Sequence, residues 1–297
     1  MKLFRIIIGL MAAFAMASAL SFSSSSKNDK PRYITIDGKQ YQYVIGTASK
    51  TGSYYAAGYK LSKVLPDAVA AETDGSLQNL DLLNAGHINV AIVQGDAYAL
   101  WCSTHRAKCI NDFAVIETNH KEYIQIMSYP KKSGIEDDGD LQKKGVKIDV
   151  GPLNSGASAS WDNMCSLEPN FKKATKVTDD AIDETTIYKV KQGKVDAIMR
   201  TATWDPSNQV VQKALKSGLR FVDVTDWDLN DKIQINGEDK SIYSFDKVKV
   251  KYPGDFLSTT VKTISTHTYI VIDKTKLSRS QKNKLFNSVD RLGNGLW

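Results

Sequence analysis

Five short clusters of hydroxyl, amide and charged residues follow segments that the sequence predicts to be buried strands. In parallel α/β sheets, ligands bind at the carboxyl ends of the strands, where helix N-termini offer unpaired N–H groups. Such groups hold a carboxylate or another small anion well, although each cluster alone is also typical of turns and helix caps. The clusters are Thr47-Ala48-Ser49, Gly75-Ser76, Gln94 to Asp96, Asn154-Ser155-Gly156 and Arg200-Thr201.

Motifs for catalysis or phosphate binding are missing from the sequence. It contains no G-x-S-x-G elbow, no P-loop and no G-x-G-x-x-G fingerprint. Acid pairs such as Asp137-Asp138 lie in polar segments that are typical of solvated loops and helix starts. The four histidines are scattered without i, i+4 spacing, so no metal site is predicted. We therefore expect a protein that is not an enzyme and that needs no cofactor.

Alternating strands and helices would position the five clusters. A strand at Tyr41 to Ile45, a Gly/Ser turn and a helix at Ser53 to Val64 form the first unit, and a second series starts with a strand at Val146 to Val150. Short loops between such elements predict an α/β fold, with a parallel sheet and helices on both faces. Further strands are predicted at Tyr123 to Tyr129 and Thr266 to Asp273, with an irregular stretch between residues 225 and 251.

The N-terminal segment differs from the rest of the chain. Lys2 and Arg5 precede an apolar run that ends in Ala-Ser-Ala at residues 17–19, the small-x-small pattern of signal peptidase sites. A run of about 14 apolar residues is too short to span ~30 Å of hydrocarbon, and no cysteine before Cys102 could carry a lipid. We predict a cleaved signal peptide over residues 1–19, a flexible lead-in over residues 20–32, and a periplasmic mature protein.

Length, composition and charge agree with a globular chain. The 297 residues are 42% hydrophobic and 24% charged, which suggests about two domains. The net charge of +6 comes from 39 basic and 33 acidic residues that are well mixed along the chain. No basic stripe is present, so a nucleic-acid partner is not expected.

Three cysteines need explaining in an exported protein. Cys102 and Cys109 flank six mostly polar residues, a spacing that allows a disulfide in an oxidising compartment. Cys165 is left over, in a predicted helix. We interpret it as a buried, inert thiol, with a reactive nucleophile as the alternative.

Several segments, taken together and in order, resemble the TAXI family of TRAP-transporter solute-binding subunits. The first is similar to that family's G-T-G-S-x-G-G-T-Y-Y opening, and the third to its V-G-P-x-G-S-G turn. The segments are Ile45 to Tyr55, Thr73 to Ala99, Val150 to Ser158, Gly193 to Met199, Pro206 to Val211, and Tyr252 to Gly254 with the strand that follows.

The resemblance implies a type II periplasmic-binding-protein fold. Two α/β lobes would be joined by a hinge and would close on a ligand in the cleft between them. Lobe 1 would comprise residues 33–121 with a return of residues 274–297, and lobe 2 residues 122–273. The liganded protein, a monomer, would dock on a membrane permease of a TRAP transporter that is driven by an ion gradient.

The same resemblance implies where the ligand binds. Arg200 could clamp a ligand carboxylate with two hydrogen bonds, or it could be a surface arginine paired with Asp205. The implied ligand-binding residues are Thr47, Ser49, Ser53, Tyr54, Ser76, Gln94, Asp96, Asn154, Ser155, Gly156, Ser158, Arg200 and Thr201.

Residues near the end of the predicted strand at Val195 to Met199 bear on the class of ligand. Thr201 stands where amino-acid receptors often carry an acid for the ligand ammonium, which favours a dicarboxylate or oxoacid, although Asp96 or Asp205 could serve an amine. The family suggests glutamate, glutamine or 2-oxoglutarate. Two other classes stay open: a sensor lobe that reports to a signalling partner, and a periplasmic enzyme that uses Cys165.

Overall fold

The computed structural model of the chain describes residues 29–179 and 184–297. The predicted signal peptide and most of the predicted lead-in lie outside the described residues. Within the two described ranges, none of the helices combines the length and the apolar character needed to cross a membrane.

Fourteen strands are described. They are β1 (Ile34–Ile36), β2 (Lys39–Tyr41), β3 (Tyr43–Gly46), β4 (Ala68–Ala71), β5 (Val90–Gln94), β6 (Phe113–Ser128), β7 (Lys147–Asp149), β8 (Thr175–Val177), β9 (Ala197–Ala202), β10 (Arg220–Phe221), β11 (Lys232–Ile235), β12 (Glu238–Ser241), β13 (Ser244–Val250) and β14 (Thr259–Asp273).

Ten α-helices and three short 3₁₀ helices are described with them. The α-helices are α1 (Ser53–Val64), α2 (Ser76–Ala85), α3 (Gly95–Thr104), α4 (Arg106–Asn111), α5 (Pro130–Ser133), α6 (Asp138–Leu141), α7 (Gly156–Leu167), α8 (Glu184–Gln192), α9 (Gln209–Lys216) and α10 (Arg279–Leu292). The 3₁₀ helices are Pro169–Lys173, Trp227–Asn230 and Gly293–Leu296.

The main sheet has two halves, each built around three parallel strands. In the first half the order is β4-β3-β5, and in the second it is β8-β7-β9. Strands β6 and β14 pair antiparallel to each other and run through both halves, β14 beside β5 and β6 beside β9. The predicted α/β fold of two series is confirmed, but the sheet is mixed where a parallel one was expected.

Two strands of the structure, β6 and β14, are much longer than the strands that the sequence predicted. Strand β6 has 16 residues and β14 has 15, whereas only their apolar ends were predicted. The middle of β6, from Glu117 to Glu122, is polar, and of the first four residues of β14 only Val261 is buried. The stretch that was expected to be irregular contains a hairpin, β11–β12, and the edge strand β13.

Three groups of buried apolar side chains form the core, and one of them joins the two halves. The largest is continuous from Val44 of β3 in the first half to Ile148 of β7 and Trp161 of α7 in the second. In a second group, Leu61 of α1 packs with Leu285 of α10, so the C-terminal segment returns to the first half. The third group packs α8 and α9 against β9 and β13.

Candidate functional site

The two halves meet at the carboxyl ends of their parallel strands. Helix α3, which directly follows β5, packs on helix α7, which follows the turn after β7. The side-chain amide of Asn163 in α7 donates to the backbone carbonyl of Asp96 in α3 at 2.7 Å. Near this contact, a Cβ on Gly75 would lie 3.5 Å from the Cα of Ser155. The cleft between the halves is therefore closed in this structure.

Asp96 is a fully buried carboxylate at the centre of the contact. Its Oδ2 accepts from the hydroxyl of Ser160 at 2.5 Å and from that of Tyr243 at 3.0 Å, and its Oδ1 accepts from the N–H of Ala97. Burial raises the pKa of Asp96 to about 6, although these donors act in the opposite direction. Asp96 is thus mostly ionised at neutral pH.

A second buried acid, Glu122 of β6, lies on the other side of the site. Its Oε2 accepts from the hydroxyl of Tyr54 in α1 at 2.7 Å. Burial is the main cause that raises the pKa of Glu122 to about 8; the charge of Asp96 adds to it and the charge of Arg200 opposes it. Glu122 is therefore mostly protonated at neutral pH, and it is close enough to both residues to feel their charges.

The N-terminus of α7 faces Gln94 across the cleft. Ser155 caps this helix by accepting from the N–H of Ser158, as helix N-caps do. Gly156 is needed at the next position, since a Cβ there would lie 1.2 Å from Oε1 of Gln94. Within the described residues, three buried side-chain atoms have no hydrogen-bond partner: Nε2 of Gln94, the hydroxyl of Ser158 and Oδ2 of Asp149.

Unpaired buried polar atoms are rare and costly, at about 1–3 kcal/mol for each group. Here two of them belong to opposite halves, beside a helix N-terminus that favours anions. The arrangement fits a small ligand that carries a negative group. Such a ligand would contact Gln94 from the first half and Ser158 from the second.

Arg200 lies at the end of β9 and is partly buried. Its Nη1 donates to Oδ1 of Asn208 at 3.3 Å. Asp205, the alternative partner, instead accepts from the backbone and the hydroxyl of Ser207. No carboxylate in the described part of the chain forms an ion pair with Arg200, although Glu122 and Asp205 interact with its charge at longer range.

Other predicted site residues have different surroundings. Thr47 is buried, and its hydroxyl donates to the carbonyl of Ala71 at 2.6 Å, so it joins β3 to β4. The hydroxyl of Ser76 accepts from the N–H of Gln94, and that of Thr201 lies 3.4 Å from the hydroxyl of Ser160. Ser49, Ser53 and Asn154 are exposed at the start of α1 and before α7.

Four residues of the site were missed by sequence reasoning: Glu122, Ser160, Asn163 and Tyr243. Glu122 carried a weak signal, as a lone acid directly before an apolar strand. Ser160 and Asn163 lie one turn or more beyond the helix start, where only the 3.6-residue period of α7 reveals that they face the cleft. Tyr243 comes from the stretch that was expected to be irregular.

The three cysteines lie in α3, α4 and α7. The structure joins Cys102 at the end of α3 and Cys109 of α4 in a disulfide, with their Cα atoms 5.9 Å apart. Cys165 is buried in α7, and burial raises the pKa of its thiol to about 11. Its thiolate form is therefore scarce at neutral pH, which argues against a reactive nucleophile.

Two further features lie outside the cleft. Carboxylate oxygens of Glu168, Asp226 and Asp228 lie within 4.8 Å of one another near the C-terminal end of α7, but Glu168 and Asp226 already accept from Asn170 and Gln142. A groove of about 820 Å³ lies between the first part of β6, the β11–β12 hairpin and the C-terminal segment. None of the predicted site residues lines this groove.

Comparisons with known proteins give a family and several distant structures. The sequence model of the NMT1-like family matches residues 45–279. No curated protein is significantly similar in sequence.

Several solved structures are similar at low sequence identity. A putative L-cystine ABC transporter protein from Listeria monocytogenes is 13% identical, with a TM-score of 0.47 over 84% of this chain and 89% of that one. The amino-acid ABC transporter substrate-binding protein AbpA from Streptococcus pneumoniae, bound to L-arginine, is 13% identical, with a TM-score of 0.45 over 88% and 84%. The alkanesulfonate-binding protein SsuA from Xanthomonas axonopodis pv. citri is 17% identical, with a TM-score of 0.46 over 86% and 71%.

Proposed function

This chain belongs to the NMT1-like family, and on that premise we propose that it is an exported solute-binding protein of the TAXI type. It binds a small organic acid in the cleft between two lobes and delivers it to the permease of a TRAP transporter. The proposal includes the periplasmic location and the signal peptide over residues 1–19, which the sequence pattern supports.

One observation carries the binding function. The amide Nε2 of Gln94 and the hydroxyl of Ser158 are buried without partners, and they belong to β5 of the first half and α7 of the second. A ligand oxygen placed between them would accept from both and would remove the cost of leaving them unpaired. Because the two groups come from different halves, that oxygen would also favour the closed form.

Hinge closure explains how one ligand could contact both halves. Strands β6 and β14 are the two long connections between them, so bending within these strands would open the cleft. We assign lobe 1 to residues 33–121 with 274–297, and lobe 2 to residues 122–273. A ligand that contacts both lobes only when they are closed shifts the population towards the closed form.

The charged groups of the site favour a ligand that carries an amine as well as a carboxylate. Asp96 is ionised and buried, and no Lys or Arg forms an ion pair with it in the described ranges. An ammonium group would supply the missing positive charge, while Gln94, Ser158 and Arg200 would hold a carboxylate. This arrangement favours glutamate or glutamine over 2-oxoglutarate, in contrast to the preference for an oxoacid that Thr201 suggested.

A ligand screen on the mature chain tests the proposal. The protein is unfolded and refolded to remove any carried ligand, and its melting temperature is then measured with L-glutamate, L-glutamine, 2-oxoglutarate, succinate and a sugar. A ligand at about 100 times its Kd adds ~2.7 kcal/mol, or several degrees. We expect glutamate or glutamine to stabilise the chain and the sugar to have no effect.

Variants locate the effect in the cleft. Arg200→Ala should lower the affinity at least about tenfold, as expected for a charge-assisted hydrogen bond of ~1.5–3 kcal/mol. Arg291→Ala, which removes an exposed arginine from α10, is the matched control and should leave the affinity unchanged. If no organic acid stabilises the refolded chain, the solute-binding proposal is wrong.

A further inference from the structure

The outer face of the β13–β14 hairpin has a composition that neither packing nor ligand binding explains. It combines four exposed lysines with two exposed apolar side chains at the tip. We infer that this hairpin docks on an anionic phospholipid surface. The inference does not rest on the proposed function, because the hairpin lies outside the cleft.

Strand β13 separates its side chains into two faces. Val248 and Val250 point inward and pack with residues of α8 and α9 in the third apolar group. The alternate residues Lys247, Lys249 and Lys251 are exposed on the opposite face, as the two-residue period of a strand requires. The core fixes the orientation of this face and presents the lysines to solvent together.

Cross-strand pairing adds a fourth lysine to the same face. Lys262 of β14 is exposed and lies directly opposite Lys247 in the register of the hairpin. Like charges in this position destabilise an antiparallel pair. In residues 29–179 and 184–297, none of these lysines has an ion-pair partner, and among their side chains only that of Lys249 has a hydrogen bond, to Thr260.

The loop between the strands carries the apolar part. Phe256 is 92% exposed and Leu257 is 72% exposed, next to each other at the tip. Tyr252 is buried at the base of this loop, where its hydroxyl accepts from the N–H of Phe221. Lysines on an edge strand can serve to prevent pairing with strands of other molecules. An exposed Phe-Leu pair beside them would instead promote association, so protection of the edge does not explain both features. A surface role accounts for both features.

A bilayer with anionic lipids fits this chemistry better than a compact anion would. The lysines are spread along the strand from residue 247 to residue 251, over roughly 13 Å at ~3.3 Å per residue. Lipid phosphates form a layer that can meet such spread charges, and each lysine near an anionic surface contributes measurably to binding. Phe and Leu side chains at the tip can enter the boundary between headgroups and acyl chains.

Docking through this hairpin would leave the cleft accessible. Thr268 of β14 lies beside the hydroxyl of Tyr54 at the ligand site. β14 begins nine residues earlier, at Thr259, roughly 30 Å away along an extended strand, and Leu257 lies beyond that end of the strand. The hairpin tip is therefore at the far end of the second half, and contact with a membrane there would not block the ligand.

Vesicle binding of the purified chain tests the inference. Partition is measured by co-sedimentation with phosphatidylcholine vesicles, with and without about one third phosphatidylglycerol, at low and high salt. We expect binding to the anionic vesicles to exceed binding to the neutral ones at least about tenfold, and to weaken as salt rises. Lys249→Gln/Lys251→Gln and Phe256→Ser/Leu257→Ser should each lower the anionic partition about tenfold.

Matched variants elsewhere provide the controls. Lys144→Gln/Lys172→Gln removes two exposed lysines, and Tyr188→Ser removes an exposed aromatic residue of α8; neither should change the partition. Equal binding to both kinds of vesicle, or equal losses in the control variants, would overturn the inference. The inference would also be wrong if the chain did not bind vesicles but bound polyglutamate through Lys249 and Lys251, since its partner would then be an acidic protein.

Discussion

The hydroxyl of Ser160 donates to the carboxylate of Asp96 at 2.5 Å, and this bond joins α7 of the second half to α3 of the first. Tyr243, just before β13, donates to the same oxygen at 3.0 Å. A fully buried carboxylate is thus held by donors from three separate parts of the chain. Asp96 can stay ionised only while these donors are in place. Because the donors meet at Asp96 in the closed arrangement, the charge of Asp96 and the closure of the cleft depend on each other.

Ser160→Ala should destabilise the closed, ligand-free protein. The change removes a hydrogen bond to a buried charge, which is worth about 1.5–3 kcal/mol. We expect the melting temperature to fall by several degrees, and the pKa of Asp96 to rise further because a donor that lowers it is lost. Ser166→Ala, at an exposed position of the same helix, is the control and should melt like the wild type.

Ser158→Ala should weaken ligand binding without lowering the stability of the ligand-free protein. The hydroxyl of Ser158 is buried without a partner, so its removal should leave the ligand-free stability unchanged or slightly raised. Ligand affinity should nevertheless fall about five- to tenfold, the loss of one hydrogen bond of ~1 kcal/mol. Calorimetric titration together with thermal melts separates the two effects. Equal melting losses for Ser158→Ala and Ser160→Ala would contradict our assignment of the unpaired hydroxyl to the ligand.

Glu122 should make the protein less stable in alkaline solution. Burial raises the pKa of Glu122 to about 8 from its ordinary value of 4.5, so the folded state holds a proton that the unfolded state has released. The stability from this group is fully present below the unfolded pKa. It is lost progressively as the pH rises towards and through the folded pKa.

Glu122→Gln tests this expectation, because glutamine cannot release a proton. The wild-type melting temperature should fall by several degrees between about pH 5 and pH 9, and the fall should be clearly smaller in the variant. Glu117→Gln, an exposed position earlier on β6, should retain the wild-type profile. Parallel profiles for the wild type and Glu122→Gln would show that Glu122 does not carry the raised pKa.

Residue pattern predicted the fold and part of the site for separate physical reasons. The α/β class was predictable because buried parallel strands, such as Val90–Gln94, are short apolar runs followed by small or capping residues. Gln94 and Ser155 were predictable because they end a strand or cap a helix. The antiparallel pairing of β6 and β14 could not be predicted in this way, since antiparallel strands with one solvated face lack a continuous apolar run.

The remaining site residues depend on tertiary packing. Glu122 and Tyr54 are far apart in sequence and meet only when α1 packs beside β6. Tyr243 reaches Asp96 because the segment after β12 passes the contact between α3 and α7. Local sequence carries no record of such long-range contacts, and a lone glutamate or tyrosine has the same local pattern whether it lies on the surface or in a cleft.

The disulfide should stabilise the region around α3 and α4. Cys102 and Cys109 close a loop with a sequence separation of seven, for which chain entropy predicts about 2–3 kcal/mol. Cys102→Ser/Cys109→Ser should therefore melt several degrees lower than the oxidised wild type. Reductant should lower the wild-type melting temperature towards that of the variant and leave the variant unaffected. A wild type that does not respond to reductant would indicate that the bond adds no stability.

Gly156→Ala should hinder closure of the cleft. A Cβ at this position would lie 1.2 Å from Oε1 and 2.4 Å from Cδ of Gln94, so the side chain of Gln94 would have to move or the halves would have to separate. Gln94 is buried, which leaves it little room to move. We expect ligand affinity to fall at least about tenfold, whereas Ala157→Ser at the next position should have little effect.

A double variant identifies the cause of that loss. In Gln94→Ala/Gly156→Ala the side chain that the new Cβ would strike is gone, so the closed form can be reached again. The substitution of Gln94 should then cost less affinity in the Gly156→Ala background than it does alone, a non-additive result that marks direct contact between two residues. Simple additivity of the two affinity losses, measured by calorimetric titration, would mean that Gly156 and Gln94 do not meet when the cleft closes.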